Sequence, residues 1–401
     1  MRKIFILSLL LSLTMVFFSC QNDKNDPDGN LNYGYVKGTV YTPSGIPVPA
    51  ANIFIDMDGE IYLVKTDKNG YFYLRAPEGE QILNIQGGDG SIFRSQYTIN
   101  VVADEVLEIP ANSLKLSQAV ELAYIPGAYD QIETILIDSM GYSADMLTIA
   151  DLDNSALMAD YAAIFLNCGK PGALDSAKYA NLEEYVMNGG NIYASDYAVE
   201  YLTGDGYYLT NLTQPYKPHM HGEVTTNNTK SGCNTPEIGG FIDDVTLCTD
   251  KEGPSTMLYQ VDIIDTNIQA FLGKTTLDIE YDLGAWEVIK DLTLPWEVMV
   301  QDPVTYGPLA VKMNIPTQAS VKSMLDQGWV TICHIPPGNP ANAHTITVSV
   351  NALPAHLAHG DYVGSCQGGA GTIIFTTFHN HVQGNIGPDV YQTLQYFIMN
   401  L

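Results

Sequence analysis

Residues Tyr161–Tyr201 read YAAIFLNCGKPGALDSAKYANLEEYVMNGGNIYASDYAVEY, and their pattern decides the fold. An apolar run (Tyr161–Cys168) meets a Gly/Pro turn. A helical stretch with Leu182, Tyr185 and Val186 follows, stops at Gly189–Gly190, and gives way to a second apolar run, Asn191–Ala194. Two short continuous apolar runs around an amphipathic helix predict a βαβ unit, and so a parallel sheet with helices on both faces. Ligands of such sheets bind beyond the carboxyl ends of the strands. Here those ends carry Asn167, Cys168, Ser195 and Asp196.

Upstream, ELAYIPGAYDQIETILIDSMGY reads as a strand, a Gly-containing loop and a helix, and ADMLTIADL as a second strand. At the far end, GTIIFTTFHNHVQGNIGPDVYQTLQYFIMNL predicts a strand ending at His379 and a last helix from Pro388. Together these stretches resemble the class I glutamine amidotransferase-like fold, in the loose sense that includes ThuA-like proteins. The resemblance implies a flavodoxin-like parallel-sheet domain over 117–312 and 368–401. In amidotransferases a strand ends in F-H-P-E, whose His and Glu complete a Cys-His-Glu triad. Phe378-His379-Asn380-His381 stands there instead, and the elbow reads Tyr193-Ala194-Ser195-Asp196-Tyr197 rather than G-x-C-x-G.

A nucleophilic thiolate needs a neighbouring base, and the base an orienting acceptor. Of these parts His379 alone is in register, so the resemblance does not extend to glutamine hydrolysis. Two readings stay open. In one, Ser195 or a water is activated by His379, with Asp196 as partner and His381 close by. In the other, the domain is a binding or structural scaffold and the Ser-Asp pair is an ordinary helix N-cap. Cys168 reads as a small buried thiol.

Between Tyr33 and Leu116 short alternating strands are separated by Ser44-Gly45, Asn69-Gly70 and Glu78-Gly79, which predicts a β-sandwich over 33–116. Asn69-Gly70 suits a tight hairpin turn. Gly38, Val40, Gly45, Pro47, Val48, Ala51, Thr66, Asp67, Gly70, Phe72 and Pro77–Gly79 resemble the carboxypeptidase regulatory-like (transthyretin-like) module. The resemblance implies a stalk or accessory domain without catalytic residues. The class expected for the whole chain is therefore α/β plus all-β.

Met1–Cys20 has a basic start and an apolar run from Ile4 to Phe18, the pattern of an export signal. Its ending resembles a bacterial lipoprotein signal, which implies removal of 1–19, lipid on Cys20, and a tether over 20–32. Acyl chains there would hold the protein to the outer membrane or cell surface. The net charge of −27 becomes −29 when Arg2 and Lys3 leave, and a chain so acidic is not drawn to nucleic acid.

Residues 313–367 interrupt the α/β domain. Cys333–Gly338, Ala343–Thr345 and Pro354–Asp361, closed by Cys366, resemble a short cysteine-bounded module of exported bacterial proteins. In an oxidising compartment Cys333 and Cys366 are placed to staple its ends, and Cys233 with Cys248 to close a short loop at a gain of ~3 kcal/mol. His334, His344, His356 and His359 are candidate ligands for zinc, the one cofactor the sequence suggests. Tyr259, Tyr281, Trp286, Trp296 and Tyr306 could line a cleft or fill a core. The expected role is that of a cell-envelope lipoprotein binding a glycan or protein ligand, with a hydrolase using Ser195 or water, His379 and Asp196 as the alternative.

Overall fold

In the computed structural model, apolar residues at every second position build the N-terminal part. The structure describes residues 32–57, 60–88, 90–169, 172, 174–205, 238–239, 241–242, 247–282, 284–292, 296–314, 329–336, 344–349, 352, 355–356, 361–363, 371–380 and 387–401. Cys20, Cys233, His359, Cys366 and His381 lie outside these residues, as do the side chains of Cys333 and His344. The first eight strands are β1 (Tyr33–Tyr41), β2 (Asn52–Met57), β3 (Glu60–Lys65), β4 (Tyr71–Pro77), β5 (Gly79–Gly87), β6 (Phe93–Val101), β7 (Val106–Glu108) and β8 (Leu114–Lys115). One sheet runs β4-β1-β7 with β8 also on β1, and the other runs β3-β2-β5-β6. Val36, Val40, Phe72 and Leu74 from the first, with Ile53, Ile55, Leu83 and Ile85 from the second, belong to one apolar cluster.

Asn69-Gly70 does not close the hairpin that its sequence predicts. It links β3 to β4, which lie in different sheets. Gly70 is still required, since its φ is +73° and a Cβ there would stand 2.7 Å from the Val40 carbonyl oxygen. The Asp67 carboxylate accepts from the Asn69 and Tyr71 amides at 2.8 and 2.9 Å, which is turn chemistry.

The next strands are β9 (Leu122–Ile125), β10 (Asp145–Met146), β11 (Ala163–Leu166), β12 (Asn191–Ser195), β13 (Gly204–Asp205), β14 (Ile238–Gly239), β15 (Leu247–Gly253) and β16 (Thr256–Ile263). The last are β17 (Thr276–Tyr281), β18 (Trp286–Leu292), β19 (Glu297–Asp302), β20 (Gly307–Asn314), β21 (Trp329–His334), β22 (His344–Ser349), β23 (Tyr362–Val363) and β24 (Thr372–Thr376). Nine of them form one sheet in the order β10-β9-β11-β12-β24-β20-β19-β16-β17. The half from β10 to β24 is parallel and the remainder antiparallel. The antiparallel extension departs from the expected all-parallel sheet, and short connections such as Pro303–Tyr306 permit it. Ala163–Leu166 and Ile373–Phe375 are buried on both sides, which is why they read as unbroken apolar runs.

The helix Ser176–Met187 begins at Asp175, whose carboxylate accepts from the Ala177 and Lys178 amides, and Gly189 leaves it at φ +99°. The predicted strand ADMLTIADL is mostly not one. Asp145–Met146 pairs with β9, but Ile149–Asp153 is a 3₁₀ turn, because Thr148 and Asp151 form a reciprocal cap. Strand β24 lies between β12 and β20, so sequence on either side of the insert meets in one sheet. Asn314 pairs with Thr372, so β20 runs two residues further than the predicted boundary at Lys312. The insert contributes a small β22-β21-β23 sheet. Tyr281 and Trp286 stack at 3.9 Å between centroids and Trp296 is buried, so these three are packing rather than a cleft lining, whereas Tyr259 is 70% exposed. Among the described residues no helix is long and apolar enough to cross a membrane.

Candidate functional site

Four neighbouring parallel strands deliver polar residues to one end of the sheet. The loop after β9 carries Asp130, β11 is followed by Asn167 and Cys168, β12 ends in Ser195 before Asp196, and β24 leads to His379 and Asn380. β9 and β11 flank the point where the chain reverses its direction of winding, the position where open α/β sheets place ligands.

Ser195 is held rather than poised. Its hydroxyl donates to the Asp130 carboxylate and accepts from the Cys168 amide at 3.0 Å. The other Asp130 oxygen accepts from the Asn380 amide at 3.0 Å. Asn380 in turn donates from its side chain to the Gln131 carbonyl at 2.7 Å and to Thr134 Oγ1 at 2.8 Å. Ser195 and Asp130 therefore tie β12, the β9 loop and the end of β24 together. A Ser195 nucleophile activated by His379 is not the arrangement found, since the Ser195 proton goes to Asp130.

His379 instead lies against Asp196, with Nδ1 3.8 Å from Oδ2. The Cys168 thiol donates to the same oxygen at 3.4 Å. Oδ1 of Asp196 accepts from the Glu287 amide at 2.7 Å. Asp196 occupies the turn out of β12 with φ +47°, a left-handed conformation that a non-glycine residue adopts at a cost of about 1–3 kcal/mol. Strain of this kind is kept where neighbouring structure fixes it, and here β12 and the Glu287 amide do so. The elbow position is thus residue 196, one beyond the serine. Beneath it Lys251 pairs with Glu200 and stands 3.8 Å from buried Glu287.

Removal from water dominates the electrostatics. Burial pushes the Asp130 carboxyl up to about 7, against hydrogen bonds from Ser195, Gln131 and Asn380. Burial pushes Asp196 up to about 7, opposed by the Glu287 amide and the Cys168 thiol. Glu287 rises to about 8 for the same first reason, with Asp196 adding to it. Burial and then the Asp196 charge hold the Cys168 thiol well above its ordinary value, so it rests as a thiol.

The pH dependence of stability follows with a definite sign. Between about pH 4 and 7 these carboxyls keep protons in the fold that the unfolded chain has released, so stability falls as pH rises through that window. One group moved from 3.8 to about 7 is worth at most about 4 kcal/mol. Urea midpoints are expected to be higher at pH 5 than at pH 8, with a shallower slope in Asp130→Asn. That difference separates the group from the general repulsion of a chain of net charge −27. Equal slopes in the two proteins would contradict the assignment.

In the insert, two of the four predicted histidines come together. His334 Nδ1 and His356 Nδ1 stand 2.8 and 2.6 Å from one oxygen of Asp361, which is fully buried. Asp361 also accepts from the Ile335 amide at 2.7 Å. Cys248 is buried in β15, while its predicted partner Cys233 is outside the described residues. Asp130, Glu287, Asn380 and Asp361 were not among the predicted site residues. The signal for Asp130 is its place just past Pro126-Gly127 after a strand, whereas Glu287 has no local signal, since Trp296-Glu297-Val298 is the same string with an exposed acid.

No protein-family model matches the chain, and no curated protein does. Among solved structures, the chain is similar to a ThuA-like protein from Bacteroides uniformis ATCC 8492, at 12% identity over 72% of this chain and 93% of that one, with a TM-score of 0.33. A carbohydrate acetylesterase from Xanthomonas citri is 11% identical over 75% of this chain and 91% of that one, with a TM-score of 0.13. Likenesses this distant carry no conclusion about activity.

Proposed function

We propose that this chain is an exported protein of the cell envelope, tethered by lipid on Cys20, whose amidotransferase-like α/β domain binds a ligand and does not turn over glutamine. The N-terminal pair of sheets, read as a carboxypeptidase regulatory-like module, would serve as its stalk. One observation carries the reading: a buried carboxylate, Asp196, fills the strained elbow where the family keeps its nucleophilic thiol. The nearby thiol, Cys168, hydrogen-bonds to that carboxylate and is held protonated. A protonated thiol facing an acid is a poor nucleophile. The ligand class is a glycan or a protein segment.

The 3.8 Å approach of His379 to Asp196 favours a second reading, a hydrolase in which His379 activates water. One comparison separates the two. Wild type and His379→Ala are assayed for glutamate release from glutamine and for hydrolysis of 4-nitrophenyl acetate, and both proteins are titrated with soluble oligosaccharides by thermal shift. No difference in turnover, with a ligand-dependent shift, is expected. Ester hydrolysis lost at least a hundredfold in His379→Ala establishes the hydrolase, and glutamine turnover lost in the same variant overturns both readings.

In the insert, the convergence of His334 and His356 on Asp361 supports the zinc reading made from the sequence. His334, His356 and Asp361 each offer one donor atom within 4.8 Å of the other two, and the carboxylate fixes the orientation of both rings.

A further inference from the structure

We infer that Cys168 Sγ, Asp196 Oδ2 and His379 Nδ1 form a binding site for one transition-metal ion of the zinc class, at the carboxyl end of the large sheet. The inference deepens the reading of this rim as a binding site and rests on the same residues.

Spacing is the first argument. One donor atom from each of the three residues lies within 4.8 Å of the other two. With zinc bond lengths and tetrahedral angles, sulfur and oxygen ligands stand about 3.5 Å apart, and nitrogen and oxygen ligands about 3.3 Å. The separations found are 3.4 Å for Sγ to Oδ2 and 3.8 Å for Oδ2 to Nδ1. The Oδ2 to Nδ1 separation must shorten by about half an ångström to reach that spacing.

The donor set is the second argument. A thiol, an imidazole and a carboxylate suit zinc or cobalt, whereas magnesium and calcium take oxygen ligands. The third is the support behind each ligand. The Glu287 amide holds Oδ1 of Asp196, which turns Oδ2 toward the other two donors. The Cys168 amide is fixed on Ser195, and Asn380, next to His379, is fixed on Asp130 and Thr134. Outer partners of this kind orient metal ligands in known sites.

Charge is the fourth. Among the described residues, Asp130, Asp196, Glu200 and Glu287 are buried around this point, and Lys251 is the ammonium set against them. A divalent ion there would favour the charged form of Asp196 among these buried acids. The three donors are 0%, 0% and 3% exposed, which suits an ion better than an organic molecule. On binding, the Cys168 thiol proton passes to solvent as the sulfur–metal bond forms. Three protein ligands leave a fourth position, which water would fill.

The test uses the full chain purified without chelator. Zinc is counted by mass spectrometry in wild type, in His334→Ala/His356→Ala, in Cys168→Ser and in His379→Gln. Cobalt(II) is then added to metal-stripped protein and the thiolate-to-cobalt absorption recorded. One equivalent of zinc is expected to persist in the insert variant and to bind at least tenfold more weakly in Cys168→Ser and His379→Gln. The thiolate–cobalt band should vanish in Cys168→Ser while far-ultraviolet circular dichroism stays unchanged. Zinc lost only in the insert variant, or a wild type with no thiolate–cobalt band, overturns the inference. The wild-type spectrum and the His379→Gln count decide the matter if Cys168→Ser fails to fold. Metal counting needs no organic ligand, so this result and the ligand and turnover assays fail independently.

Discussion

Asp130→Ala is expected to lower the free energy of unfolding by about 3 kcal/mol. The substitution removes the acceptor for the Ser195 hydroxyl and the Asn380 amide, both buried. A buried donor left without an acceptor costs about 1–3 kcal/mol, and two are orphaned together. The small side chain also opens a void among the ends of β9, β12 and β24, which water would enter only by loosening them. Asp130→Asn should fall between, because one amide oxygen can serve one donor while its NH₂ faces the other. Urea titration of the three proteins at pH 7 measures the series. A loss below about 1 kcal/mol in the alanine variant would show that the tie between these segments is dispensable.

The second large effect comes from backbone contact. Gly127 and Gly169 bring the β9 loop against the end of β11 with nothing between them. A Cβ on Gly127 would lie 2.1 Å from the Cys168 carbonyl oxygen, and one on Gly169 2.7 Å from the Ala128 nitrogen. The Tyr129 amide donates to the same Cys168 carbonyl at 3.0 Å. Gly127→Ala must push the loop away from the strand, and overpacking of this kind costs about 1–3 kcal/mol. Loss of the Tyr129 hydrogen bond brings the expected total to about 3 kcal/mol. Displacing the loop also uncovers Cys168, so its alkylation by iodoacetamide should accelerate at least tenfold. Gly387→Ala is the control, since nothing lies within 4 Å of its added Cβ. Equal effects at the two positions would remove the steric explanation.

Much of the parallel half of the sheet could be read in the chain, because strands buried on both faces must be apolar throughout. Ala163–Leu166, Ser176–Met187 and Asn191–Ser195 follow the βαβ pattern of the opening stretch closely. Ile149–Asp153 did not follow its apolar run, because a side-chain cap between Thr148 and Asp151 competes with strand pairing. Asn69-Gly70 marks a turn, yet a turn signal does not say which sheet the next strand joins.

The partners within the site were harder to read. Trp286-Glu287-Val288 and Trp296-Glu297-Val298 are the same local string, but Glu287 is buried beneath Asp196 and Glu297 is exposed. Burial there depends on which strand lies over which helix and turn, information carried by pairing and not by spacing. Asp196 and His379 could be named from their places at strand ends. That Ser195 would turn to Asp130 depended on a loop some 65 residues away, which no local pattern encodes.

The pairing of Asn314 with Thr372 has a bearing on how the histidine-bearing module relates to its host. The chain departs and returns at facing positions of two paired strands, so whatever is strung between them makes no demand on strand order or alignment. Such a junction is a socket. A longer, shorter or different cargo could be fitted there, or a plain hairpin turn put in its place, and the rim formed by Cys168, Asp196 and His379 would keep its shape.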